Sequence, residues 1–186
     1  MGKLIFSMIT SLDGYISDRA GDFTWGVPDE EVLEVINEQT RAFGTCLYGR
    51  RMYELMAVWE TDPEAAGQSP RSAEFAKIWT AAEKIVFSTT LSRESTSRTR
   101  LEREFVPADI ARLKASSSAD LSVDGPTLAA HALRHGLVDE LHLLISPIVL
   151  GGGQPMLPDL RFGLELLDER RFSNGMVQLR YALKGS

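Results

Sequence analysis

The 186-residue chain is 44% apolar. That length suits one core burying about 70% of the unfolded surface and is too short for two full domains, so a single domain over residues 1–186 is expected. A formal net charge of −6, with 20 Lys and Arg residues scattered along the chain, argues against a nucleic-acid partner, which needs a dense basic face. One cysteine, Cys46, excludes an internal disulfide framework and fits a reducing compartment. No signal peptide is visible and no apolar stretch approaches the ~20 residues of a membrane span, so a cytoplasmic protein away from membranes is expected.

In chain order, Lys3 to Thr10 reads as a buried strand, and Ser11-Leu12-Asp13-Gly14 turns the chain. Asp18 to Trp25 reads as a loop. From Pro28 the pattern becomes helical, with Asp29, Glu30 and Glu31 in the dipole-favoured first turn and Val32, Val35, Ile36 and Phe43 at helical spacing, before Gly44 closes the helix. Thr45 to Gly49 predicts a strand in which Cys46 is a buried, inert thiol, and Arg50 to Trp59 a helix. Arg50 and Arg51 crowd the positive end of that helix. Either Glu54 or a bound phosphate can offset them. Asp62 to Pro70 reads as a loop, Ser72 to Ala82 as a helix and Lys84 to Ser88 as a buried strand. The hydroxyls of Ser88, Thr89 and Thr90 at that strand's end suit either phosphate oxygens or an ordinary turn. The Arg93, Arg98, Arg100 and Arg103 cluster alternates with acids and reads as a solvated edge around a strand at Arg98 to Glu104, and Pro107 to Leu113 is helical.

The densest signal runs from Asp120 to Gly153. A short strand at Leu121 to Val123 meets Gly125-Pro126, which stops it and starts a helix with Pro in the favoured first position. Leu128, Ala129, Ala132 and Leu133 share one side of that helix, Gly136 ends it, and an apolar run from Val138 to Leu150 follows. Such a unit makes a crossover between parallel strands, and ligands bind beyond the strands' carboxyl ends. The Asp124-Gly125 turn is therefore a candidate phosphate contact, unless it is a mere connection. Leu164 to Phe172 and Met176 to Leu183 form a hairpin around Ser173-Asn174-Gly175, where Asn-Gly predicts a type I′ turn. His131, His135 and His142 fall close together in sequence, the first two spaced i, i+4, but a third ligand with a defined role is missing and no metal is expected. No Walker loop, nucleophile elbow, Cys-x-x-Cys pair or Gly-x-Gly-x-x-Gly fingerprint is present.

Six blocks stand in a fixed order: SLDGYI, TWGVPDEE, LYGRRMYE, VFSTTL, VDGPTLA and GLVDELHLLISPIVLGGG. Together they resemble the dihydrofolate reductase superfamily, and within it the branch of the riboflavin-biosynthesis reductase domain. The resemblance implies an α/β three-layer sandwich with a central mostly parallel sheet and an antiparallel C-terminal hairpin. It further implies a homodimer and NADPH-dependent hydride transfer to a small heterocycle of pterin or pyrimidine type. On this resemblance Gly49, Arg50 and Arg51 meet the cofactor's phosphates, and Arg50 with Ser88 and Thr89 grips the 2′-phosphate. Asp124, Gly125, Pro126 and Thr127 lie at the pyrophosphate, and Ile9 and Ser11 near the nicotinamide. Trp25 borders the substrate. Glu30, following Trp25-Gly26-Val27-Pro28, matches the catalytic carboxylate of dihydrofolate reductases, and Asp13 in the SLDG turn is a second candidate. The family often has Gly-Gly where this chain has Asp124-Gly125, and a carboxylate beside a pyrophosphate is electrostatically unhelpful. A protein that binds NADP(H) as a sensor or scaffold without chemistry is the alternative.

Overall fold

The computed structural model describes residues 1–184. In chain order its elements are β1 (Leu4–Ser11), β2 (Tyr15–Ser17), α1 (Glu30–Arg41), β3 (Phe43–Gly49), α2 (Arg50–Met56), α3 (Val58–Thr61), α4 (Pro63–Gly67), α5 (Pro70–Ala81), β4 (Glu83–Phe87), β5 (Thr99–Glu102), α6 (Pro107–Ser116), β6 (Asp120–Asp124), α7 (Pro126–Arg134), β7 (Glu140–Ser146), β8 (Gln154–Pro155), β9 (Gly163–Arg171) and β10 (Val177–Lys184). A 3₁₀ turn spans Thr24–Gly26.

Eight strands form one sheet in the order β5-β4-β3-β6-β1-β7-β10-β9, parallel throughout except that β10 runs antiparallel to both β7 and β9. The unit β6-α7-β7 is the expected crossover: β6 and β7 lie parallel on either side of β1. Side chains alternate across the sheet as strand geometry requires. Leu47, Ile85, Leu121 and Val123 face α6 and α7, packing with Ile110, Leu128 and Leu133. Cys46, Tyr48 and Val86 face the other way, against Leu33 of α1 and Phe75 and Trp79 of α5. Two helical layers thus enclose the sheet.

Several boundaries differ from the sequence reading for local reasons. Phe43 continues the helical spacing, yet it begins β3 because its backbone pairs with Asp120. The helix after Arg50 divides into α2 and α3, and the stretch after Asp62 is helical, since the Asp62 carboxylate accepts a hydrogen bond from the Glu64 amide ahead of Pro63 at the first position. The hairpin turn is not type I′, because Asn174 does not take positive φ. Its side chain instead accepts the Met176 amide at 2.9 Å, the Gly175 amide reaches the Phe172 carbonyl, and Gly175 alone is left-handed at φ 87°. This is the three-residue loop that closes on a left-handed residue.

Candidate active site

Because β4, β3, β6 and β1 are parallel and adjacent, their carboxyl ends line one edge of the sheet. That topology gathers nearly every residue singled out above: Ser88 and Thr89 after β4, Gly49-Arg50-Arg51 after β3, Asp124-Gly125-Pro126-Thr127 after β6, and Ile9 and Ser11 on β1. Three inter-strand spacings put the first group about 14 Å from the last, the scale of an extended dinucleotide. The floor of this edge is uneven. β1 pairs with β6 only from Leu4 to Phe6, and from Ser7 to Ser11 it pairs with β7 alone. A gap therefore opens beside the upper half of β1, directly above the place where β6 ends at Asp124.

Two helix heads meet at the gap. Gly125 is the N-cap of α7 at φ 90°, and a Cβ there would stand 3.3 Å from the Met52 Cβ in the first turn of α2. Only glycine combines that backbone with so close an approach. Arg50 donates from Nε to Glu54 at 2.7 Å and from Nη1 to the Thr90 hydroxyl at 2.9 Å, so Glu54 does offset it. Arg51 is exposed and has no hydrogen-bond or ion-pair partner among the described residues. The Ser88 hydroxyl accepts the Thr90 and Leu91 amides in a tight turn, and Thr89 is exposed.

Of the Ser88, Thr89 and Thr90 hydroxyls, it is Thr90 that meets Arg50. One residue at this end was not anticipated. Arg103, which reads in sequence as part of a solvated edge, donates to the Ser88 and Leu91 carbonyls at 2.9 and 2.7 Å and fastens the turn. The pairing of Phe87 with Glu102, which sets Arg103 beside Ser88, is the signal that identifies it. Arg98 and Arg100 do behave as surface residues, paired with Glu83 and Glu102.

The carboxylates divide sharply. Asp13 accepts the Ser11 hydroxyl at 2.7 Å and the Leu150 amide at 3.1 Å on one oxygen, and the Gly151 amide at 2.7 Å on the other. The Ser11 hydroxyl above all, with those amides, holds its pKa below the ordinary carboxyl value, so Asp13 works as a clamp between the first turn and the glycine loop. Glu30 opens α1, where Asp29 is the cap, but its side chain is 58% exposed and lies 3.6 Å from Arg71 Nε. Trp25 is half-buried, donates its indole N–H to the Asp22 carbonyl, and does not bury Glu30. The adjoining Gly26 packs on Ile9. Asp124 is half-buried on the face shared with Cys46 and Tyr48. Burial pushes its pKa up to about 7, although the Ser122 hydroxyl, donating at 2.6 Å, pulls the other way.

Other sequence features separate from this edge. Cys46 is buried, and burial raises its thiol pKa to about 11. His131 packs against Phe105 and His135 caps the end of α7. His142 is buried in β7 beside Glu140, and no three-residue group of metal-ligating side chains occurs among the described residues. A shallow cavity of about 260 Å³ continues from Pro126 and Thr127 along His131 and Arg134 to Gln154 and Leu157. No helix among the described residues is long and apolar enough to cross a membrane.

A mostly parallel sheet closed by an antiparallel hairpin, with helices on both faces, is the α/β architecture of the dihydrofolate reductase superfamily, and solved structures bear this out. A Shewanella sp. PV-4 protein whose name places it in riboflavin biosynthesis matches with a TM-score of 0.76 and 22% identity, over 98% of this chain and 99% of that one. A Thermotoga maritima diaminohydroxyphosphoribosylaminopyrimidine deaminase/5-amino-6-(5-phosphoribosylamino)uracil reductase matches with a TM-score of 0.64 and 16% identity, over 98% of this chain and 56% of that one. The family description of the RibD C-terminal domain matches residues 2–178, and the chain belongs to that family. The YyaP protein of Bacillus subtilis (strain 168) is 29% identical over 191 residues, 98% of this chain and 96% of that one.

Proposed function

We propose that the chain is an NADPH-dependent reductase of a small heterocycle of pyrimidine or pterin type. The observation that carries this reading is the convergence of four strand ends and two helix heads on one edge, beside a gap in the sheet. The residues there fit a dinucleotide phosphate: a glycine that lets backbone approach closely, Arg51 with no partner among the described residues, exposed hydroxyls on Thr89 and Thr127, and Arg50 with Thr90 at the far end. Arg50 and Thr90, on a turn fastened by Arg103, would hold the 2′-phosphate, since a guanidinium gives planar recognition of phosphate oxygens. Residues 124–127 would lie at the pyrophosphate, and Ile9 and Ser11 beside the nicotinamide, which when bound supplies the hydride. Membership in a reductase family and likeness to a uracil reductase support the substrate class.

The test is a fluorescence titration with NADPH and NADH, followed by an NADPH-oxidation screen of pyrimidines, pterins and quinones. NADPH is expected to bind at least about tenfold more tightly, or ~1.4 kcal/mol. Arg50→Ala should remove most of that preference while leaving NADH binding nearly unchanged. Equal affinities in the wild type would refute the cofactor assignment, and tight binding without oxidation of any acceptor would favour a sensor.

A further inference from the structure

The two ends of the carboxyl edge differ in charge. At the β4 end stand Arg50, Arg51 and Arg103, the basic groups that suit an anionic cofactor. At the β1 end three segments meet. The turn after β1 is tied to the loop after β7, since the Leu12 amide donates to the Ile148 carbonyl and Asp13 accepts the Leu150 and Gly151 amides. The 3₁₀ turn lies against β1 through Gly26, where a Cβ would stand 3.1 Å from the Ile9 Cγ2, and α1 follows it.

From Ile9 to Glu31 these segments carry Asp13, Asp18, Asp22, Asp29, Glu30 and Glu31 against a single base, Arg19, whose guanidinium donates to the Gly151 carbonyl. Residues 147–158 contain no charge at all. The bases bordering α1 are already engaged, Arg71 with Glu34 at 2.9 Å and Arg170 over the Phe172 ring at 5.1 Å. The His131 and Arg134 cavity belongs to α7, which packs on the sheet face of Leu4 and Phe6, whereas Ile9 faces α1. A phosphate arriving at the β1 end therefore meets acids rather than donors. The same segments leave large apolar side chains in water: Leu12 and Val27 are each 67% exposed, Val149 64% and Phe23 49%. Exposed apolar surface rimmed by polar groups beside a cleft suits an apolar ligand.

We propose that the β1 end of the cleft takes an uncharged heterocycle carrying an apolar substituent and selects against phosphate esters. This rests on the reductase reading above. The substituent covers Leu12, Val27 and Val149, which gain by leaving water. The surrounding acids repel a phosphate dianion and leave an uncharged ligand unaffected. The phosphoribosylamino uracil for which the Thermotoga maritima reductase is named is accordingly a poor substrate for this chain.

The experiment begins with NADPH titrations of wild type, Leu12→Ser and Val27→Lys, which should agree within about threefold. Failure of the wild type to bind would overturn the reductase reading and this proposal together. NADPH oxidation is then followed with two pairs of acceptors: 5-amino-6-(5-phosphoribosylamino)uracil and its dephosphorylated form, and 7,8-dihydropterin with and without a phenyl group at C6. The dephosphorylated uracil is expected to show a kcat/KM at least about tenfold above that of its phosphate ester, a ratio that shrinks in about 0.5 M salt as charges are screened. The phenyl pterin should exceed the unsubstituted one by about tenfold, mainly through KM, and Leu12→Ser should remove most of that advantage. Val27→Lys should reduce the discrimination against the phosphate ester by about fivefold. The wild-type pairs decide the matter even if a variant fails to fold. With NADPH bound, equal or better turnover of the phosphate ester, equal turnover of the two pterins, or oxidation of none of these acceptors would overturn the proposal and leave the cofactor site standing. A fall in the mass of the assembly in Leu12→Ser would assign the apolar patch to a second copy of the chain and also overturn it.

Discussion

At the scale of single residues, the environment of a carboxyl decides what it can do, and environment is what a linear sequence states least. Glu30 follows Trp25 and Pro28 in the expected spacing, but spacing does not tell that Arg71 and solvent receive its side chain. Asp13 reads as a turn residue or an acid, and only the return of Leu150 and Gly151 makes it a clamp. Asp124 looks like a misplaced charge until its burial is known. That burial has a consequence for stability. Its folded pKa, about 7, lies above the unfolded value of 3.8, so its stabilising contribution is fully present below the unfolded value and is lost as pH rises through about 7. Asp124→Asn, which cannot ionise, should therefore gain stability relative to wild type between about pH 5 and pH 8, by on the order of 2 to 3 kcal/mol in urea melts. An identical difference at both pH values would mean that the carboxyl is not desolvated.

At the scale of elements, the periodic segments declare themselves and their junctions do not. All seven longer strands and the helices α5, α6 and α7 were legible from apolar spacing, and α6 and α7 also from proline at their starts, whereas Pro70, which opens α5, reads as the end of the preceding loop. The pair β2–β8 was not, because two or three residues carry no period and the pairing is fixed from across the chain. Buried polar residues inside strands were equally silent. Lys84 sits in the strand reading KIVFS, yet it is buried, with its ammonium donating to the Trp79, Thr80 and Ala82 carbonyls at the end of α5 and lying 4.4 Å over the Trp79 ring. It thus occupies the carbonyls that a helix end leaves unpaired. Glu140 of β7 is buried between Lys3 of the N-terminus, 2.5 Å away, and His142 at 2.9 Å. Burial pushes its pKa up, but the hydrogen bonds from Lys3 and His142 prevail and hold it below the ordinary value. Removing that charge leaves buried His142 without its partner and Lys3 without its counter-ion, so Glu140→Gln should cost roughly 3 kcal/mol at neutral pH. The loss should shrink in acid, since a depressed carboxyl gives up its stabilising contribution as pH falls through the folded pKa. Chemical denaturation at both pH values checks the sign.

At the scale of the whole molecule, the two ends of the sheet are unlike. β5 is a short edge strand that contains Arg100 and Glu102 and follows Arg98, charged in the manner that discourages further pairing. β9 is longer and exposed, with Leu166 and Leu167 respectively 51% and 47% accessible. β9 also carries Glu165, Asp168, Glu169, Arg170 and Arg171, so it is the adjacent leucines rather than the whole edge that offer apolar surface for a partner to cover. The homodimer that the family resemblance implies is accordingly expected to use this side. Light scattering at micromolar concentration should give twice the mass of the 20.6 kDa chain, and Leu166→Glu with Leu167→Glu should return it to that mass without unfolding it. A single chain-length mass for the wild type would refute this. The parallel core was legible because one strand-helix-strand unit with a Gly-Pro junction implies a crossover. The order of strands was not, since sequence separation says nothing of which neighbour a strand selects.

That order also sets a timetable for synthesis. β1 is made before β6 and β7, its two neighbours in the sheet, which begin at Asp120 and Glu140. At ~5–20 residues per second, Leu4, Ile5 and Phe6, all buried in the finished protein, wait on the order of 5 to 20 s without a partner. A strand made early is thus paired only once β6 and β7 exist, and the nascent chain must keep it from aggregating throughout that interval. Folding of this sheet is therefore committed late, by the arrival of α7 and the two strands it joins, and a translation pause before Asp120 would lengthen the period in which a chaperone is the strand's only available cover.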